Sequence, residues 1–367
     1  MTRTILLAAG GTGGHLFPAF ALAEELGRRG YAVDIATDKR GNRFNFEYPG
    51  RHVYQIPSAT TNNWSPVALT KTVFMLVSGV CRANIVLKKI SADAVIGFGG
   101  YPSFPTIVAA LLKGIPTATH EQNAVLGRAN KILASRVKAI ATSFDEVKFI
   151  TDDLVNKVHM TGNPVRQIVI ESANRIYNAP LAKDPINLLV FGGSQGARYF
   201  SDIVPLALRI LPQEIRTRLF VTQQCRPEDL DHVLQTYNTA GIKAVCKIFF
   251  SDMPQLMAKA HLVIARAGAS TISELSVIGC PSVLIPLPNT VYNDQLENAE
   301  KMVKAGAAWC LEQDKINVEQ LASSLTSLLM LPTELENKAA AARRMGRSDS
   351  VAKLADLTEN LAKRTRF

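Results

Sequence analysis

The chain has 367 residues, 47% of them hydrophobic and 20% charged. That is enough apolar matter for buried cores, enough length for two domains, and it excludes a disordered chain. Lys and Arg number 41 against 31 Asp and Glu, a formal net charge of +10, which favours anionic partners: nucleic acid, anionic lipid or phosphorylated small molecules.

The N-terminal run Ile5-Leu-Leu-Ala-Ala is too short for a signal-peptide core, and Gly10-Gly11 ends it. It reads as a strand entering the glycine turn Gly10-Gly-Thr12-Gly13-Gly14-His15, with a helix predicted over Ala19 to Arg29. Further strands are predicted at Ala32–Ala36, Ala94–Gly97, Pro116–His120 and Ala139–Thr142. A second glycine turn, Gly97-Phe-Gly-Gly-Tyr-Pro102, follows one of them, and the polar run His120-Glu121-Gln122-Asn123 ends another. Glycine, asparagine and proline punctuate the chain at Gly162-Asn163-Pro164, where a domain boundary is expected.

The opening pattern then returns. Leu188-Leu-Val-Phe-Gly-Gly-Ser194-Gln-Gly-Ala197 is again an apolar strand, a glycine turn and a helical stretch, here Ala197 to Leu211. Strands follow at Leu219–Thr222, Ala244–Ile248, Leu262–Ala265, Ser282–Ile285 and Ala308–Leu311. Strands alternating with helices in both halves predict two tandem α/β domains with parallel sheets. The domains are expected at residues 1–163 and 164–344, with a C-terminal helix near 345–367 packing back on the first. In that tail Val351, Leu354, Leu357 and Leu361 recur at helical spacing, a packing stripe.

In doubly wound sheets ligands bind beyond the carboxyl ends of the strands, so these turns are the candidate site. Glycines allow close backbone approach, and a helix N-terminus offers N–H groups to phosphate, a use that Gly192–Gly196 fits with Ser194 as an added donor. The dinucleotide fingerprint G-x-G-x-x-G fails at its last place, where Leu16 stands, which weakens a dehydrogenase reading despite Asp38. His15 at the tip of the first turn reads either as a general base or as a helix-capping histidine. In Arg266-Ala-Gly268-Ala269-Ser270-Thr271-Ile272-Ser273-Glu274, small residues hold the backbone open and Glu274 can accept from ribose hydroxyls. Its other reading is a carboxylate stabilised by the helix dipole. Gln295 and Asn298 share one helical face.

The five cysteines form no C-x-x-C pair and the six histidines no H-E-x-x-H, so neither a disulfide framework nor a metal site is legible and a reducing compartment is expected. No run reaches the ~18 apolar residues of a membrane helix, so a cytoplasmic protein with only peripheral membrane contact is expected. The candidate surface is Val67 to Ile90, where Val73, Phe74, Leu76, Val77 and Val80 cluster between Lys71, Arg82, Lys88 and Lys89. Its other reading is a buried helix with charged ends.

Seven motifs in order, GGTGGH, GFGGYPSFP, HEQN, GNPVR, GGSQGAR, RAGASTISE and DQxxNA, span Gly10 to Ala299 and resemble the MurG family. The resemblance implies a GT-B fold, two Rossmann-like doubly wound domains facing across a cleft. It implies an inverting N-acetylglucosaminyltransferase without metal or other cofactor. The donor would be UDP-N-acetylglucosamine and the acceptor the C4 hydroxyl of undecaprenyl-pyrophosphoryl-N-acetylmuramyl-pentapeptide (lipid I), giving lipid II for the bacterial cell wall. Such an enzyme works at the cytoplasmic face of the inner membrane, against anionic lipid and without nucleic acid.

Carried over by position, Thr12, Gly13 and Gly14 help bind the donor and the acceptor diphosphate. Asn123 reaches the donor sugar, and Arg166 and Ser194 approach its phosphates. Phe250 reads uracil through its backbone, Ala269 to Glu274 wrap the nucleotide with Glu274 on the ribose, and Gln295 reads sugar hydroxyls. His15 is the favoured base, with Glu121 its rival. Asp294 departs from the His or Gln of many members, and the loop Asn289–Asn293 differs as well. The rival reactions and roles are a UDP-N-acetylglucosamine 2-epimerase of the same fold and a nucleotide-sugar- or nucleic-acid-binding protein without catalysis.

Overall fold

Strands such as Thr4–Ala8 and Leu262–Ala265 are almost wholly apolar and buried at every position, so neither face is left to water. Parallel sheets covered by helices on both sides meet that requirement, and the computed structural model has two of them. It describes residues 2–10, 13–38, 50–59, 65–193 and 197–363. The chain divides into two units, Met1–Arg166 with Ser348–Phe367, and Gln167–Arg347.

Unit 1 runs β1 (Thr4–Ala8), α1 (Gly13–Arg28), β2 (Ala32–Thr37), β3 (Val53–Gln55), α2 (Pro66–Ile90), β4 (Ala94–Gly97), α3 (Gly100–Leu112), β5 (Thr117–Glu121), α4 (Arg128–Leu133), β6 (Ala139–Thr142) and β7 (Val158–Met160). Its seven strands are ordered β3-β2-β1-β4-β5-β6-β7, and every pairing is parallel. The order reverses direction between β1 and β4, which makes the ends of those two strands the switch point. β3 and β7, absent from the sequence reading, are three-residue edge strands without full burial, too short to show a period.

Unit 2 runs α5 (Gln167–Ser172), β8 (Ile186–Phe191), α6 (Arg198–Arg209), α7 (Gln213–Arg216), β9 (Leu219–Gln224), α8 (Leu230–Thr239), β10 (Lys243–Lys247), α9 (Met253–Lys259), β11 (Leu262–Ala265), α10 (Ala269–Ile278), β12 (Ser282–Leu284), α11 (Asp294–Lys304), β13 (Ala308–Cys310), α12 (Val318–Leu329) and α13 (Pro332–Met345). The six parallel strands are ordered β10-β9-β8-β11-β12-β13, with the switch point between β8 and β11. The last helix, α14 (Ser350–Lys363), returns to unit 1. Leu354, Ala355, Leu361 and Ala362 enter the core around β1 and α1. Arg29, just past α1, fastens α14 by ion pairs to Asp356 at 2.6 Å and Glu359 at 3.1 Å.

On the other face of the unit 1 sheet, α2 and α3 meet at close quarters. A Cβ on Gly79 would lie 2.1 Å from the Pro57 carbonyl oxygen and 3.0 Å from Cβ of Pro105, so only glycine lets α2 settle there.

Candidate active site

In unit 1 the ends of β1 and β4 bring two glycine turns side by side. Gly10 packs so tightly that a Cβ would stand 2.3 Å from Cγ of Pro102. α1 begins at Gly13, earlier than the sequence suggested, so Gly13, Gly14 and His15 form its first turn. Gly99 and Gly100 both take positive φ, 77° and 72°, a backbone that disfavours side chains. Cβ atoms there would lie within 3.3–3.5 Å of the His15 ring, so the turn is shaped around that imidazole.

The hydrogen bonds of His15 can be traced to their source. Strand alternation puts His120 and Gln122 on one face at the end of β5 and Glu121 on the other. His120 is fully buried, and its Nε2 lies 3.0 Å from the Gly162 carbonyl oxygen, which can only accept. Burial pushes its pKa down to about 4, so near neutrality it is uncharged and its Nδ1 accepts. The Gln122 Nε2 donates to that Nδ1 at 2.9 Å and to the His120 carbonyl at 3.0 Å. The amide oxygen of Gln122 therefore faces His15, 3.0 Å from its Nδ1.

Glu121 points the other way into a loop. It accepts from the backbone N–H of Asn123 at 3.1 Å and of Gly127 at 2.8 Å, and from Asn130 Nδ2 at 2.8 Å. Burial raises its pKa and those hydrogen bonds oppose the rise. Asn123 also turns its amide nitrogen to this carboxylate, at 3.4 Å. Arg166 stacks its guanidinium 4.7 Å from the ring centroid of Phe17, two residues beyond His15. The structure thus brings Gly13, Gly14, His15 and Arg166 together at one end of the unit 1 sheet. Thr12 lies outside the described residues.

Unit 2 repeats the layout. β8 leads into Gly192 and Gly193, and a Cβ on Gly192 would come within 2.4 Å of Ala197. Ser194 lies outside the described residues. At the neighbouring strand, β11 leads through Arg266-Ala267-Gly268 into α10, which carries Ala269, Ser270, Thr271, Ile272, Ser273 and Glu274 in its first two turns. Glu274 is buried; Ser273 donates to the Ala269 carbonyl within the helix. Asn298 on α11 donates to the Ala267 carbonyl at 3.0 Å and so fixes the loop from behind. Gln295 accepts from the Leu287 N–H at 3.0 Å, which ties its oxygen to the loop after β12. Phe250 is buried just beyond β10, with Lys247 Nζ 5.6 Å from its ring centroid.

Three residues gain a part that the sequence did not assign them. His120 and Gln122 sat unresolved within a polar run. Arg266 was one more motif residue. Its buried guanidinium donates to the carbonyls of Ile285 and Pro286, both at 3.0 Å, and to Gln313 Oε1 at 2.7 Å. It also lies 5.4 Å and 4.9 Å from the ring centroids of Tyr199 and Phe200. It staples the loops that follow β11 and β12 to the start of α6.

Two doubly wound parallel sheets, each with glycine turns at its switch point, have the layout of a GT-B glycosyltransferase. The comparisons agree on which one. Residues 5–142 match the glycosyltransferase family 28 N-terminal domain and residues 187–357 the family 28 C-terminal domain. The UDP-N-acetylglucosamine–N-acetylmuramyl-(pentapeptide) pyrophosphoryl-undecaprenol N-acetylglucosamine transferase of Chelativorans sp. (strain BNC1) is 46% identical, over 98% of this chain and 96% of that protein. Its namesake in Brucella abortus (strain S19) is 47% identical over 98% of this chain and 94% of that protein. The crystal structure of Acinetobacter baumannii MurG superposes with a TM-score of 0.78 at 29% identity, covering 98% of this chain and 99% of that one. The chain belongs to glycosyltransferase family 28 and, within it, to the MurG family. A UDP-N-acetylglucosamine 2-epimerase of Neisseria meningitidis bound to UDP-GlcNAc shares the fold alone, with a TM-score of 0.66 at 15% identity.

Proposed function

We propose that this chain transfers N-acetylglucosamine from UDP-N-acetylglucosamine to the C4 hydroxyl of lipid I, with inversion, to give lipid II. The observation that carries the reading is its 46–47% identity, along nearly the whole length of both chains, to transferases of that name. In this reading the Gly192–Gly196 turn and the N-terminus of α6 hold the donor diphosphate, together with Ser194 and Arg166. Glu274 takes the ribose and Phe250 offers its backbone to uracil. Ala269 to Ser273 wrap the nucleotide, while Asn123 and Gln295 reach the donor sugar. Thr12, Gly13 and Gly14 face the diphosphates.

The chemistry is a single displacement. The acceptor hydroxyl attacks the anomeric carbon, UDP leaves with the bonding pair, and a base takes the hydroxyl proton. His15 is that base. Its place in the helix-opening turn supports the role, and so does the commitment of both Glu121 oxygens to loop N–H groups. Preorganised backbone dipoles and cations balance the charge on the departing diphosphate, so no metal is called for.

The acceptor's lipid demands a membrane surface, and α2 supplies the candidate. Val73, Phe74, Val77 and Ile85 are exposed, Phe74 at 72%, among the exposed cations Lys71, Arg82, Lys88 and Lys89. Leu76 and Val80 of the same cluster are half-buried, Val80 against the unit 1 core. No helix of the described residues is long and apolar enough to cross a membrane. Peripheral binding at the cytoplasmic face of the inner membrane fits both facts.

The test is transfer of radiolabelled N-acetylglucosamine from the UDP donor to a short-chain lipid I analogue, with EDTA present. Labelled disaccharide-lipid is the expected product. Donor binding without it would point to the epimerase or to a binding protein. Replacing His15 by Ala should lower kcat by about 10²–10⁴ with donor affinity kept; unchanged kcat would remove it as the base.

A further inference from the structure

We infer that Gln122, held in one orientation by His120, is a positioning residue that sets the tautomer of His15 and makes Nε2 its proton-accepting nitrogen. The inference rests on the reading of His15 as the base and says how the fold prepares it.

The argument starts from two carbonyl oxygens, which cannot donate. The Gly162 carbonyl obliges His120 to carry its proton on Nε2, at 3.0 Å. Being uncharged, His120 then has a lone pair on Nδ1. The His120 carbonyl, at 3.0 Å, identifies the near end of the Gln122 amide as nitrogen, and that nitrogen also satisfies the Nδ1 lone pair at 2.9 Å. With its nitrogen so engaged, Gln122 presents oxygen to His15 Nδ1 at 3.0 Å. An oxygen there is satisfied only by Nδ1–H. The neutral His15 ring then carries its lone pair on Nε2, the nitrogen that looks onto the Gly99–Gly100 turn.

Each step excludes an alternative. A flipped Gln122 would set its oxygen against the His120 carbonyl and the Nδ1 lone pair, acceptor against acceptor, and turn its NH₂ group to His15. A His120 with its proton on Nδ1 would face the Gly162 carbonyl with a lone pair. The relay is buried at its source: His120 is 0% and Gln122 2% exposed, so water does not compete for these bonds. The device does for this imidazole what the buried carboxylate does for the histidine of a serine protease, but with a neutral amide. An amide orients the ring without adding a negative charge beside an incoming diphosphate-bearing acceptor.

The experiment compares Gln122→Met, Gln122→Glu and His15→Ala, alone and as Gln122→Met combined with His15→Ala. Methionine fills the space of glutamine but cannot accept from Nδ1–H. Gln122→Met should lower kcat by on the order of 10²-fold with the KM for the UDP donor within about twofold of wild type. Gln122→Glu, which still accepts from Nδ1–H but turns its second oxygen to the His120 carbonyl, should recover only part of the kcat lost in Gln122→Met and move the acidic limb of its pH profile upward, because a carboxylate stabilises the imidazolium. The doubly changed enzyme should be no slower than His15→Ala. Nitrogen-15 spectra of histidine-labelled protein give the direct readout: His15 in the Nδ1–H form in the wild type, mixed in Gln122→Met.

Multiplying losses in the combined variant, or a wild-type-like kcat for Gln122→Met, would overturn the relay while leaving His15→Ala to judge the base separately. An Nε2–H tautomer in the wild-type spectrum would overturn it outright. A full-rate His15→Ala enzyme would instead remove the base reading itself. Melting temperature and UDP binding identify any variant that misfolds, and the wild-type tautomer spectrum decides the question without any variant.

Discussion

His120 is a histidine kept uncharged by its surroundings, and that has a price in acid. Its folded pKa is lowered from 6.5 to about 4, so between those values the unfolded chain binds a proton that the folded chain does not. Stability therefore falls as pH drops through this window, by about 3 kcal/mol at its lower end. Urea unfolding at several pH values should show this slope in the wild type and lose much of it in His120→Gln, whose amide nitrogen can still reach the Gly162 carbonyl. An unchanged slope would place the acid sensitivity elsewhere. Glu121 gives a second expectation. Glu121→Gln puts an NH₂ group among N–H donors and should cost about 2–4 kcal/mol, measured the same way. At this scale the sequence revealed which residue types gather at strand ends, because glycine, histidine and carboxylate stand out in apolar surroundings. It could not say which way His120, Glu121 and Gln122 point, since that depends on Gly162 and Gly127, brought near by the fold.

Secondary structure was most legible where a buried parallel strand makes an uninterrupted apolar run. Ala94–Gly97, Ala139–Thr142 and Leu262–Ala265 were read with the bounds found in the structure. Helix starts were less so: α1 begins at Gly13, and the glycines of its first turn, poor helix formers, hid that start from the sequence. The edge strands β3 and β7 carried no period to read. Two substitutions test the packing. Leu354→Ala, in α14 where it enters the unit 1 core, should destabilise by about 2–5 kcal/mol in urea unfolding. Gly79→Ala should cost about 1–3 kcal/mol, because the added methyl meets the Pro57 carbonyl at 2.1 Å and forces α2 off α3. A loss near zero in either case would mean that the helix can shift freely.

Across the whole molecule, the proposed membrane contact would draw on the net charge of +10 together with the exposed apolar strip on α2. Sedimentation with anionic vesicles should show binding that weakens with salt over a Debye length of about 8–10 Å. Phe74→Ser with Val77→Ser should reduce it about tenfold or more, since each side chain loses about 1.5–3 kcal/mol of burial in the interface. Both residues face outward, so the fold is spared. Wild-type binding by that variant would assign the membrane contact to another surface. The charge was readable from composition, whereas the outward face of α2 was not, because Leu76 and Val80 look as apolar in the sequence as Phe74.

The return of α14 to unit 1 also bears on how the chain is made. Unit 2, Gln167–Arg347, is in effect an insertion between the body of unit 1 and its closing helix. On the ribosome, residues up to Arg166 emerge with the α14 side of α1 still bare. At roughly 5–20 residues per second, synthesis of unit 2 takes about 10–35 s before Leu354 and Leu361 arrive to cover it. The N-terminal half is thus born with an open apolar seam, and α14 seals it once unit 2 has been made. A chain that stops short of α14 is a chain that never closes.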